Sequence, residues 1–268
     1  MAKNGATALV LRGDGINCDA ETAWGLELAG FEVEPVHTTE LLERPARLLD
    51  AQLFTIPGGF SFGDEIASGK VLAVKLKERV SETLFQFVER GSLVLGICNG
   101  FQVLVQLGFL PFARRDAPRV VSLTRNSGGK FINRWVDLLV DRKVNSPFFE
   151  RLARIELPVR HGEGRLALAP EAGPEVGTLL CQHAVLRYRE DVNGSFDRIA
   201  ALTNSKGNVL GLMPHPEAFV RWSQHPNWMR RSLSSTRPGR GEAGADPASD
   251  PTEPFGLTIL GNARKAVG

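Results

Sequence analysis

Cys98 sits between two glycines, each two residues away, in Leu95-Gly96-Ile97-Cys98-Asn99-Gly100-Phe101-Gln102. The apolar run before it reads as a strand and the run after it as a helix. At the apex of such a turn a side chain at −2 or +2 collides with neighbouring backbone. The segment therefore has the steric pattern of a nucleophile elbow carrying sulfur. A cysteine that closes a core strand is also an ordinary packing residue, so this segment alone leaves both readings open.

A thiol here needs a partner. Its unperturbed pKa is about 8.5, and a helix N-terminus contributes about 0.3–1 kcal/mol against the ~1.4 kcal/mol that one unit requires. Of the five histidines, His215 stands directly after an apolar strand in Leu212-Met213-Pro214-His215-Pro216-Glu217. Pro216 biases His215 toward extended backbone, and if the extension continues, Glu217 projects on the same side and orients the imidazole. That would be a nucleophile, base and acid in the order Cys98, His215, Glu217. The alternative makes Pro216 the first residue of a helical turn, with Glu217 near its positive end.

An oxyanion also needs donors. The Gly58-Gly59 turn offers a bare backbone N–H, and Asn99 a second at the start of its helix; losing one such donor typically costs about 2.7–4 kcal/mol in catalysis. Gly58-Gly59 reads equally as a tight turn.

These residues must be positioned by alternating strands and helices. Ala6 to Leu11, Phe31 to Val36, Leu53 to Ile56 and Leu93 to Ile97 read as strands. Asp19 to Leu28, Val71 to Glu89 and Phe101 to Leu107 read as helices, the pattern of crossover units feeding a parallel sheet. Beyond Arg119 the texture is β-rich, over Trp135 to Val140, Ile155 to Arg160, Ala184 to Arg189, Ile199 to Leu202 and Val209 to Met213, which predicts antiparallel additions. Ser234 to Pro254, rich in Ser, Pro, Gly, Asp and Glu, reads as a mobile linker. Phe255 to Leu260 then reads as a short terminal element docking on the body. The expected division is a domain over 1–232 and a linker with a short extension over 233–268.

With 268 residues, 32 basic and 30 acidic side chains and 43% hydrophobic residues, the composition is globular and nearly balanced in charge. Neither sign forms the long block expected of a nucleic-acid or anionic-membrane surface. No apolar run approaches a membrane span and the start carries no export signal, so a cytoplasmic location is expected. Cys18, Cys98 and Cys181 lie far apart in no zinc spacing, and no metal is expected. Asn193-Gly194-Ser195 reads as a turn. Gly63 to Lys70 is similar to a phosphate loop but has Val71 where Ser or Thr belongs, so no ATP site is expected in this chain.

Together, Pro57-Gly58-Gly59, Gly96 to Gln102 and Pro214-His215-Pro216-Glu217 resemble, in order and spacing, the triad-type or class I glutamine amidotransferases. Gly15-Ile16-Asn17-Cys18-Asp19, Ile56 to Asp64, Arg160-His161-Gly162-Glu163-Gly164 and Gly207 to Glu217 make the chain similar to the glutaminase subunits of phosphoribosylformylglycinamidine synthase. The likeness covers roughly residues 6 to 230. It implies a three-layer, flavodoxin-like α/β domain with a central mixed, mostly parallel sheet. It also implies catalytic Cys98, His215 and Glu217, an oxyanion hole of Gly59 and Asn99, and glutamine contacts from Gln102, Asn126 and Ser127. Ammonia from glutamine would pass to a large synthase subunit that carries ATP and Mg, with a small accessory subunit alongside and neither nucleic acid nor membrane as a partner; de novo purine biosynthesis is the implied setting. A subunit serving another nitrogen acceptor, or a non-catalytic regulatory member of the fold, are the rivals. The resemblance leaves the role of His161 to Gly164 open, and Cys18 reads as structural.

Overall fold

In the computed structural model the first half of the chain lays down β1 (Thr7–Arg12), α1 (Asp19–Leu28), β2 (Glu32–His37), α2 (Thr38–Glu43), β3 (Leu53–Ile56), α3 (Lys70–Arg79), α4 (Ser81–Glu89), β4 (Leu93–Ile97) and α5 (Asn99–Gln106). The second half adds β5 (Val121–Thr124), β6 (Ile132–Val140), β7 (Arg154–His161), β8 (Arg165–Leu168), α6 (Pro174–Cys181), β9 (Leu186–Tyr188), β10 (Ile199–Thr203), β11 (Val209–Leu212) and α7 (Phe255–Ala266). The structure describes residues 5–64, 67–113, 119–170, 172–230 and 253–268.

One nine-stranded sheet runs β2-β1-β3-β4-β11-β10-β9-β6-β7. Its first five strands are mutually parallel, in the 2-1-3-4-5 spatial order of the flavodoxin type. The strands from β10 onward attach antiparallel, as their alternating pattern predicts. The sequence explains this split. β3, β4 and β11 (LFTI, LVLGI, VLGL) are buried at every position, as strands covered on both faces must be. In β6 the buried Val136 and Leu138 are separated by the half-buried Asp137, and the other positions are half-buried or exposed. Helices flank the sheet in a three-layer arrangement, with α1 against α7 and α3 against α4 and α5.

Two glycines let α5 lie close to the sheet. Register pairs Gly96 of β4 with Gly211 of β11. A Cβ on Gly211 would overlap the Phe101 ring, and one on Gly96 would stand 2.6 Å from Leu104 Cδ1.

Two expectations change. The single helix over Val71 to Glu89 is two, because the fully buried, β-branched Val80 sits between them at φ −114°. β5 and β8 form a separate two-stranded sheet that the sequence reading missed. The Pro/Gly/Asp-rich stretch from 233 lies outside the described residues as far as 252. Beyond it, α7 packs Ile259 and Leu260 fully into the core, and Asn262 Nδ2 donates to the carbonyls of Phe148 (3.2 Å) and Glu150 (2.9 Å).

Candidate active site

The carboxyl ends of β3, β4 and β11 lie side by side, so the Gly58-Gly59 turn, Cys98 and His215 emerge at one edge. Cys98 is the apex between β4 and α5, at φ 50° and ψ −101°, a conformation that costs a side-chain-bearing residue of order 1–3 kcal/mol. Its N–H donates to Leu212 O at 2.8 Å, which ties the apex to the strand that delivers His215. A Cβ on Gly100 would overlap the Ile56 carbonyl, so the small residue at +2 is a steric necessity. Gly58 has the same role toward the base: its Cβ would stand 2.9 Å from His215 Cε1.

His215 is extended, at φ −107° and ψ 92°, but Pro216–Ala218 turns at once into a 3-10 helix with Pro216 at its start. The side chains of His215 and Glu217 therefore meet by a turn and not by continued extension, because proline's fixed φ suits a first helical turn. The contact is short: His215 Nδ1 lies 2.6 Å from Glu217 Oε1, with both residues buried. A carboxylate at that distance accepts a hydrogen bond from Nδ1–H, which leaves Nε2 to carry the lone pair of the neutral ring. Nε2 makes no hydrogen bond of standard geometry among the described residues. The Cys98 and Cys18 thiols both lie close enough to act on the ring's charge. Burial by itself would depress the His215 pKa, but the Glu217 carboxylate and then Cys98 outweigh it and raise it well above the ordinary value.

A cleft of about 180 Å³ opens over these groups, lined among others by Cys98, His215, Gly59, Gln102, Asp64 and Glu163. Gly59 adopts φ 147°, where a Cβ would press on Gly15 O and Asn17 N at 2.5 and 2.8 Å. Neither the Gly59 N–H nor the Asn99 N–H bonds to a backbone carbonyl among the described residues; Gly59 lines the cleft, and the buried Asn99 follows Cys98 at the start of α5. Gln102 faces the cleft with Nε2 donating to Glu163 O at 2.6 Å and Oε1 accepting from Asn99 Nδ2 at 2.9 Å.

The structure does not bring Asn126 and Ser127 to this cleft. Asn126 is buried behind it and braces the His161–Gly164 turn: its Nδ2 donates to His161 O (2.9 Å), and its Oδ1 meets His161 Nδ1 (3.0 Å) and Gly164 N (3.2 Å). Ser127 is exposed. That turn in turn places His161 and Glu163 at the cleft. Burial, and then the charge of His215, lower the His161 pKa to about 4.

Sequence reasoning missed four cleft residues. Asp64 and Glu163 bring carboxylates joined through Ser68, whose Oγ donates to Asp64 at 2.8 Å and whose N–H donates to Glu163 at 3.2 Å. Burial, followed in part by the charge of Glu163, raises the Asp64 pKa. Cys18, read as structural, presents its thiol to the His215 ring, and its own pKa is raised chiefly by burial. Arg160 reaches Glu217 and His215. All four lie in stretches singled out for their likeness, yet only the folded geometry assigns them a place. Cys18, His215 and Glu217 present donor atoms within 4.8 Å of one another. Since Glu217 is already engaged at Nδ1, this is the geometry of an oriented imidazole beside a thiol.

A thiol at a strained elbow, an imidazole ordered by a buried carboxylate and two free N–H groups at the edge of a 2-1-3-4-5 sheet define the glutamine amidotransferase class. A family profile described as a CobB/CobQ-like glutamine amidotransferase domain matches residues 6–241. Phosphoribosylformylglycinamidine synthase subunit PurQ of Dehalococcoides mccartyi is 40% identical over 236 residues, covering 86% of this chain and 92% of that protein. The PurQ subunit of Thermotoga maritima is 41% identical over 209 residues, covering 77% and 84%. The structure of PurLQS from Thermotoga maritima matches with a TM-score of 0.66 at 36% identity, covering 86% of this chain and 97% of that one. The chain belongs to the family of phosphoribosylformylglycinamidine synthase PurQ subunits.

Proposed function

We propose that the chain hydrolyses L-glutamine at Cys98 to glutamate and ammonia, and that the ammonia serves a synthase making formylglycinamidine ribonucleotide from formylglycinamide ribonucleotide. The observation that carries the chemistry is the 2.6 Å contact of His215 Nδ1 with Glu217, which leaves Nε2 free in the cleft that Cys98 lines.

Cys98 Sγ gives its proton to His215 Nε2 and attacks the side-chain amide carbon. The Gly59 and Asn99 N–H groups receive the oxyanion. As the tetrahedral adduct collapses, the C–N bond breaks and His215 returns the proton to the departing nitrogen, which leaves as ammonia and yields a glutamyl thioester. His215 then takes a proton from water, the hydroxyl adds to the thioester, and collapse expels the thiol and releases glutamate. The Asp64 and Glu163 carboxylates suit the substrate's α-ammonium; Gln102 holds the Glu163 loop directly, and Asn99 Nδ2 donates to both Gln102 and Asp64.

The same two carboxylates repel a phosphate from the Gly63 to Lys70 loop, so ATP and Mg are assigned to the partner synthase. The name PurLQS of the matching structure supports a large synthase subunit and a small accessory one as companions. Among the described residues no helix is long and apolar enough to cross a membrane, which is compatible with a cytoplasmic setting.

The test is glutamate release from glutamine by the purified chain, alone and with a large synthase subunit, its accessory subunit, ATP and the nucleotide, with Cys98→Ala as control. Partner-dependent stimulation that the substitution abolishes is expected. Turnover without stimulation would discard the acceptor, and no turnover dependent on Cys98 would discard the chemistry.

A further inference from the structure

Glu217 is fully buried. A buried carboxylate needs a facing cation or several donors to offset its lost hydration. Its Oε2 has no hydrogen-bond partner among the described residues. The cation that faces it is Arg160 of β7, whose Nη2 lies 3.5 Å from Glu217 Oε1. That nitrogen also lies 3.3 Å from His215 Nδ1 and donates to Glu21 Oε1 of α1 at 2.9 Å. The Arg160 carbonyl accepts from the Cys98 thiol at 3.7 Å. One residue thus touches all three members of the proposed triad.

Its action on them has two signs. Toward Glu217 the guanidinium is an attractive partner. Toward His215 it is a second donor beside Nδ1–H, hence not a hydrogen-bond partner, and it is a like charge whenever the ring is protonated. An imidazole flanked only by Glu217 would hold too tightly the proton it must pass to the leaving nitrogen.

We propose that Arg160, anchored by Glu21, is a positioning residue that stands beside the His215–Glu217 contact and limits how firmly His215 keeps the proton taken from Cys98. This rests on the triad reading above. The groups facing the His215 ring are Glu217, the Cys98 and Cys18 thiols, Arg160 with Glu21 behind it, and His161.

The test is the titration midpoint of His215, read from imidazole nitrogen NMR shifts of the histidine-labelled chain, with His215→Ala assigning the signal. Arg160→Met and Arg160→Gln remove the charge, and Gln keeps a donor for Glu21. Both are expected to raise the midpoint by about one unit, the usual effect of a nearby charge, while Arg160→Lys leaves it close to the wild-type value. If Met does not fold, Gln carries the comparison. An unmoved midpoint in the folded neutral variants, or a Lys variant shifted as far as they are, overturns the role of Arg160. A wild-type midpoint indifferent to Cys98→Ala overturns the thiol–imidazole pairing instead, and this inference falls with it.

Discussion

Replacing Glu217 by Gln removes one buried charge while keeping an oxygen that accepts from Nδ1. With the charges centred about 4 Å apart and an effective dielectric of about 20, the attraction between carboxylate and imidazolium is about 4 kcal/mol. Arg160 stays beside the ring in the variant, so loss of the carboxylate is expected to lower the His215 pKa. With the carboxylate gone, burial dominates and His215 drops from its raised value toward the ordinary range. The kcat for glutamate release should fall by roughly 10³–10⁴, since amidating the acid of a related triad loses about 10⁴. KM for glutamine should barely move, because Glu217 does not line the cleft. The raised His215 stabilises the fold most below its unfolded value of about 6.5, and that contribution is lost as pH rises through the higher folded value. The variant's stability deficit should therefore be largest in mildly acidic buffer. Initial rates against glutamine across neutral pH, with urea melts at two pH values, check both parts. A kcat within threefold of wild type, or a loss confined to KM, would refute the assignment of Glu217 as the orienting acid.

Cys98→Gly should be more stable than Cys98→Ala by about 1 kcal/mol, because the elbow holds φ at 50° and only glycine adopts positive φ without strain; thermal melts of the two inactive variants, ranked the other way, would dismiss strain at the elbow. His161, with its pKa lowered to about 4, contributes stability that is present above about 6.5 and lost as pH falls toward 4. The span corresponds to roughly 3 kcal/mol, so His161→Gln should flatten the acid limb of urea-derived stability. An unchanged limb in that variant would place the acid sensitivity elsewhere.

Much of the parallel half was legible because β1, β3, β4 and β11 are short apolar runs and β2 alternates; α1, β3 and β4 begin and end where their patterns do. The central residues could be found for a related reason, since an elbow needs glycines at fixed offsets from Cys98 and His215 carries its acid two residues away. What escaped depends on long-range pairing. β5 and β8 are short and join across forty residues or so of intervening chain, and loop-closure entropy of that kind leaves no local mark. Arg160, Asp64 and Glu163 reach the cleft only because β7 and two loops converge there. Asn126 looked like a substrate contact and instead braces a turn, a distinction made by which way a buried amide faces.

The seating of α7 bears on when the site can exist at all. A Cβ on Gly256 would overlap the Pro216 carbonyl and stand 2.5 Å from that of Phe219, so the helix rests directly on the turn that carries Glu217. As the ribosome extends the nascent chain at about 5–20 residues per second, the sheet, the elbow and the histidine emerge first. The platform under the acid arrives last. Until it docks, the turn is backed by α1 and β7 alone, so a chain clipped ahead of Phe255 is expected to hold its acid less firmly and to release ammonia more slowly.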